Sequence, residues 1–214
     1  MFVQTDTFDI TGKVLEEMAP FKISVKDIKK VVADFNGYMY DQYPPIYSAI
    51  KVNGKKLYEY ARKNQDVEIV PRTVTINACE FVEFDAKNNE LTLDVTCSKG
   101  TYIRSFVNDF MKRLDAIGTV KNLCRTKSGN FLLSEAIEVD DITEDKMYSL
   151  YDALMMIQFP QILYHQKKDI TQGKPINIVT NNANEVVAIV NDKQEVLAIY
   201  KRAAQGLYVC VRGL

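Results

Sequence analysis

Two alternating runs joined by a short polar turn constrain this chain more than any other feature. Residues 72–84 (RTVTINACEFVEF) and 90–97 (ELTLDVTC) alternate apolar and polar positions. That is the period of a strand with one buried face. The polar segment 85–89 makes the pair a hairpin. Gly100 then breaks the pattern, and 101–114 changes to helical spacing, with Ile103, Phe106, Val107, Phe110 and Leu114 on one face. Strands and helices in this order describe an α+β chain.

The flanking sequence extends that reading. Residues 2–8 and 13–17 read as short strands around the turn at Thr11-Gly12. Residues 24–35 read as a helix, with Ser24 as N-cap, Asp27 three residues on, and Ile28, Val31, Val32 and Phe35 at 3–4 spacing. Gly37 ends it. Residues 120–124 are strand-like, and 142–157 read as one or two helices. Pro160 is the best linker candidate. Beyond it, 185–190, 195–200 and 207–212 form short strands with polar turns. The expected division is therefore 1–158, the larger part, and 159–214, a small β-rich module.

Composition bounds the class. The 214 residues are 47% hydrophobic and 26% charged, with a net charge of −1. Such a chain fills a core and is neither disordered nor collagen-like. No apolar run approaches the roughly 18 residues of a membrane span, and the N-terminus lacks the pattern of a signal peptide. The four cysteines (Cys79, Cys97, Cys124, Cys210) form no CxxC, and only one histidine, His165, is present. No metal site is expected. The cysteines sit in apolar or strand-like runs and read as reduced core residues, which implies a cytoplasmic protein. His165 reads as a solvated or packed side chain.

The net charge hides a block pattern. Residues 51–63 carry net +4 and 99–127 net +5, whereas 64–98 carry −5 and 128–160 carry −6. Two basic blocks in an acidic chain form one positive face for phosphates, or simply solvated helix surfaces. The first block favours the former, because its lysines alternate with Tyr47, Tyr58 and Tyr60. Interleaved basic and aromatic residues suit a surface that tracks and stacks on RNA. This block lies in 42–63 (QYPPIYSAIKVNGKKLYEYARK). Pro44-Pro45 forces an extended entry, Asn53-Gly54 signals a type I′ turn, and 57–63 reads as a short helix. With few aliphatics to bury, the segment reads as a protruding loop.

Three stretches together resemble the TruB family, the tRNA pseudouridine synthases that modify the T-loop. They are PPIYSAIKVNGKKLYEYAR (44–62), CSKGTYIRSF (97–106) and LCRTKSGNF (123–131). Their order and spacing match as well. The opening TDTFDITG resembles the strand just after that family's catalytic region, and the tail is similar to its small PUA-like RNA-binding module. The resemblance implies a pseudouridine-synthase-like mixed-sheet core over 1–158, with an RNA-gripping insertion at about 42–63 and a PUA-like module over 159–214. It implies tRNA, through its T-arm, as the partner, and no cofactor, metal or membrane.

One family feature has no counterpart. The nucleophilic aspartate lies in a loop reading roughly G-H-x-G-x-L-D-P-x-A-x-G, and no such segment occurs in these 214 residues. The K-x-Y strand whose tyrosine stacks on the target base is also missing. Both belong upstream of TDTFDITG. The expectation is an N-terminally truncated synthase core, inactive alone and prone to self-association through exposed strand edges. Asp6 and Asp9 are nearby, but their context is a strand and turn. The alternative is a non-catalytic protein that recognises the T-arm.

The resemblance also assigns roles. Arg104 matches the arginine that holds the catalytic aspartate ionised and oriented, so here it is expected as an unpaired charge on an open cleft. Tyr102 matches a tyrosine lining the uracil pocket, and Leu123 an apolar residue of its wall. Lys51, Lys55, Lys56, Tyr58 and Arg62 fall on the thumb-like insertion that closes on RNA. Lys99, Arg125 and Lys127 are expected to face RNA phosphates.

Overall fold

In the computed structural model, which describes residues 1–178 and 184–214, the alternating runs pair as one long antiparallel hairpin. Strand β1 is Val3–Thr5, β2 Val14–Glu17, β3 Tyr38–Gln42, β4 Lys51–Val52, β5 Lys55–Lys56, β6 Arg72–Asp85 and β7 Glu90–Cys97. The helices among them are α1 (Val25–Phe35), α2 (Leu57–Arg62) and α3 (Ile103–Lys112). All fall in the first of two compact units, Met1–Leu123; the second is Cys124–Leu214. The division thus precedes Pro160.

The main sheet of the first unit has the order β3-β6-β7, with antiparallel pairing throughout. Val74, Ile76 and Cys79 of β6 are buried, while Thr73, Glu80, Thr92, Asp94 and Thr96 are exposed. One face of the sheet is therefore apolar and the other wet. Strand β3 is absent from the sequence reading. Its Tyr-Met-Tyr-Asp-Gln run has no aliphatic alternation, and it is recruited by pairing with β6 from Tyr38↔Ile76 to Gln42↔Arg72.

Helix α1 forms as its sequence dictates. The Ser24 hydroxyl accepts from the Asp27 amide at 3.1 Å and donates to its carboxylate, and Ile28, Val31, Val32 and Phe35 are buried. Asn36 fastens the helix end to β6. Its Nδ2 donates to the Cys79 carbonyl and its Oδ1 accepts from the Cys79 amide, both at 2.9 Å. Gly37, at φ +69°, reverses the chain into β3. Helix α3 buries Phe106 and Phe110 against Phe35, with ring centroids 5.0 and 5.7 Å apart. Burying a side chain the size of Phe35 stabilises the unit by about 2–3 kcal/mol.

The 120–124 stretch is not a strand. It contributes one parallel bridge, Asp9↔Val120, in which Val120 donates to the Phe8 carbonyl and accepts from the Ile10 amide. This ties the turn after β1 to the end of the unit.

The second unit opens with the two-residue strands β8 (Lys127–Ser128) and β9 (Phe131–Leu132). The 142–157 region, expected to be helical, holds only a single-turn 3-10 element at Glu144–Lys146 and helix α4 (Leu150–Met156). Neither buries a side chain fully. Strand β10 (Gln161–Leu163), helix α5 (Lys167–Thr171), β11 (Ile176–Asn177), β12 (Val186–Val190), β13 (Val196–Ala204) and β14 (Leu207–Gly213) follow. They form a sheet in the order β10-β12-β13-β14-β11, with β10 parallel to β12. Its core includes Ile170, Ile176, Val187, Ile189, Tyr200 and Tyr208. The last three strands sit where their alternation placed them.

All four cysteines are free thiols, but only Cys79 is buried; Cys97 and Cys210 are half-buried and Cys124 is exposed. The reading of every cysteine as core is therefore corrected at Cys124, in a segment that packs few side chains. No helix among the described residues is long and apolar enough to cross a membrane.

Candidate functional site

The first turn of α3 is held by four hydrogen-bonding anchors. Tyr102 is the N-cap, in extended conformation and without a side-chain cap. Buried Gln42, at the end of β3, brackets the N-cap residue itself. Its Oε1 accepts from the Tyr102 amide at 2.8 Å and its Nε2 donates to the Tyr102 carbonyl at 3.2 Å. Buried Ser105 donates to the Tyr43 carbonyl at 2.8 Å. Arg104 donates through Nη1 to the Thr7 carbonyl and through Nη2 to the Tyr47 carbonyl, both at 2.9 Å. One helical turn thus gathers the 5–9 turn, the end of β3 and the Pro44-Pro45 loop.

The Arg104 guanidinium is half-buried and bridges two loops. Two backbone carbonyls take its donors, and among the described residues no carboxylate forms an ion pair with it. The nearby carboxylates are committed elsewhere. Asp9 accepts from the Thr11 hydroxyl and amide at 2.6 and 3.0 Å. Those bonds hold its carboxyl below the usual range, with a smaller contribution from the Arg104 charge. Asp6 accepts from the Lys13 amide at 2.9 Å.

A cleft of about 360 Å³ runs along this turn. Phe8, Pro44, Pro45, Ser105, Asn108 and Asp109 line it, among others. Burial raises the Asp109 carboxyl above its ordinary value, partly offset by Lys112 and by a hydrogen bond with Tyr40. The rigid prolines, both buried, fix one wall.

The insertion folds as the β4–β5 hairpin followed by α2. Asn53 and Gly54 have φ of +50° and +80°, the expected type I′ turn. Fully buried Leu57 roots the helix, and the Leu57 and Tyr58 amides donate to the Ile50 and Ser48 carbonyls. The candidate residues converge here. Lys56 Nζ lies 5.4 Å and the Arg62 guanidinium 5.2 Å from the Tyr58 ring centroid. Lys55 Nζ lies 5.9 Å from that of Tyr60. Lys51 sits directly opposite Lys56, and Val52 opposite Lys55. Like charges facing across a hairpin repel, so this surface favours an anionic ligand.

Lys99 is exposed on the turn between β7 and α3. Leu123 is 61% exposed at the end of the first unit. Arg125 and Lys127 are exposed in the second unit, Lys127 on β8. Sequence reasoning missed Gln42, Ser105, Tyr40 and Asp109. A buried polar side chain leaves no mark in apolar periodicity.

Residues 1–103 match the family model of the TruB family pseudouridylate synthase N-terminal domain; Arg104 lies one position beyond. The chain is 45% identical over 214 residues to tRNA pseudouridine synthase B of Mycoplasma capricolum subsp. capricolum, covering all of this chain and 73% of that protein. It is 39% identical over 213 residues to tRNA pseudouridine synthase B of Mesoplasma florum, covering 100% of this chain and 73% of the relative. Two solved structures share the fold. The crystal structure of a Cbf5–Nop10–Gar1 complex aligns with a TM-score of 0.60 at 20% identity, covering 87% of this chain and 57% of that one. A structure of an H/ACA RNP bound to a substrate RNA containing 2′-deoxyuridine aligns at 0.61 and 18%, covering 91% and 62%. The family match and the 39–45% identity, over the whole of this chain and 73% of each relative, place this chain in the TruB family of pseudouridylate synthases.

Proposed function

We propose that this chain carries the T-arm-recognising surface of a tRNA pseudouridine synthase whose substrate is the T-loop uridine. The observation that carries the reading is the Arg104 guanidinium, which bridges the Thr7 and Tyr47 carbonyls next to cleft-lining Ser105. The reaction breaks the bond between C1′ and N1 of uridine, turns the base and forms a bond from C1′ to C5; the C5 proton leaves and N1 gains one. It is an isomerisation and needs no redox partner. The uridine must leave its stack first, at a cost of a few kcal/mol. The Lys51, Lys55, Lys56, Tyr58 and Arg62 cluster offsets that cost by gripping phosphates and stacking a base. Tyr102, Leu123, Lys99, Arg125 and Lys127 complete the proposed RNA-contacting set.

These 214 residues contain no G-x-L-D-P segment, and both aspartates near Arg104 are occupied by turn hydrogen bonds. The chain alone is therefore expected to bind T-arm RNA without turning it over. The same observation favours a second reading, a non-catalytic T-arm binder. Strands β3 and β7 are the edges of their sheet, which supports self-association; light scattering that shows a monomer at every concentration removes that part.

The test is a salt titration of affinity for a T-arm hairpin against a scrambled hairpin of equal length. Preference for the T-arm, with affinity falling steeply as salt rises, supports RNA recognition by this surface. Equal affinity for both hairpins contradicts it.

A further inference from the structure

We propose that Gln42 is the positioning residue for the Tyr102–Arg104 turn: its side-chain amide fixes the peptide from which both side chains are launched. The inference rests on the RNA-binding reading above for its consequence, not for its geometry.

Gln42 is 2% exposed, yet its amide makes three hydrogen bonds. Two go to one residue, to the amide and the carbonyl of Tyr102. An amide is the side chain that offers a donor and an acceptor side by side, so Gln42 pairs with Tyr102 as a neighbouring strand does. The third bond, Nε2 to the Tyr40 hydroxyl at 2.8 Å, fixes which way the amide faces. The amide is thus held at both its oxygen and its nitrogen, and the N-cap that it brackets is extended, at φ −93° and ψ 109°. Arg104 is two residues on, and a small rotation at the N-cap swings its guanidinium off the Thr7 and Tyr47 carbonyls.

The test uses the full chain with Gln42→Met, which keeps volume and removes all three bonds, and Gln42→Glu, which keeps the acceptor and loses both donor bonds. The first readout is the side-chain ¹⁵N–¹H spectrum. Collapse of the Arg104 guanidinium signals, with the Asn36 side-chain amide still protected on β6, supports positioning. Unchanged Arg104 signals in either folded variant overturn it. The second readout is T-arm affinity. Each variant is expected to weaken it roughly threefold to tenfold, the range of one or two lost hydrogen bonds. Arg104→Lys in the Gln42→Met background should then add little. A full additive loss overturns the proposal. If the parent chain binds no RNA, the proposed function falls, and the spectrum still decides the role of Gln42.

Discussion

Arg104 reaches across 57 residues of sequence to donate to the Tyr47 carbonyl at 2.9 Å, while its other Nη holds Thr7. This bridge makes Arg104 a structural member of the site as well as its charge. Arg104→Ala strands two part-buried carbonyls, at about 1–3 kcal/mol. Arg104→Lys keeps the charge but loses the planar fork. Both variants are expected to lower the melting temperature and weaken T-arm binding, with alanine worse in each. A lysine variant equal to the parent in both contradicts the bridge.

Tyr58 carries two cations on its ring. Tyr58→Ala is expected to cost about 1–3 kcal/mol of RNA affinity, the range for one stacked base, with little change in melting temperature because the ring is half-exposed. The salt slope should stay constant. Lys51→Ala and Lys55→Ala should each reduce that slope by about one. Mobility-shift titrations at several salt concentrations read both effects.

Burial pushes the Cys79 thiol up to about 11. An unfolded thiol ionises near its ordinary value, about 8.5, so the folded state holds its proton longer. Its contribution is complete below the unfolded value and is lost as pH rises towards 11. Melting temperature is therefore expected to fall between pH 9 and 11, and less so in Cys79→Val. A maleimide reagent at neutral pH should label exposed Cys124 quickly and Cys79 only on unfolding.

Much of this fold was legible because its periodicities are local. The 72–97 hairpin, the Ser24-capped helix and the last three strands each announce their buried face in sequence. Strand β3 does not, since aromatic and polar residues fill it and its pairing with β6 is a long-range decision. The 142–157 region holds its helix only over Leu150–Met156, with a 3-10 turn before it, because none of its apolar residues becomes fully buried. The site divides the same way. Arg104 and the lysine-tyrosine cluster were visible as motifs. Gln42 was not, because its role exists only once β3 lies beside the start of α3. The partners of Arg104, two backbone carbonyls, carry no side-chain signature at all.

The most direct measurement uses T-arm RNA labelled with tritium at C5 of uridine. The RNA is bound to this chain alone, with binding verified in the same sample, and tritium released to water is counted. Isomerisation must lose that atom. A bound complex with no release above background is the predicted result. Release above background contradicts the account, because a nucleophile then lies within these 214 residues.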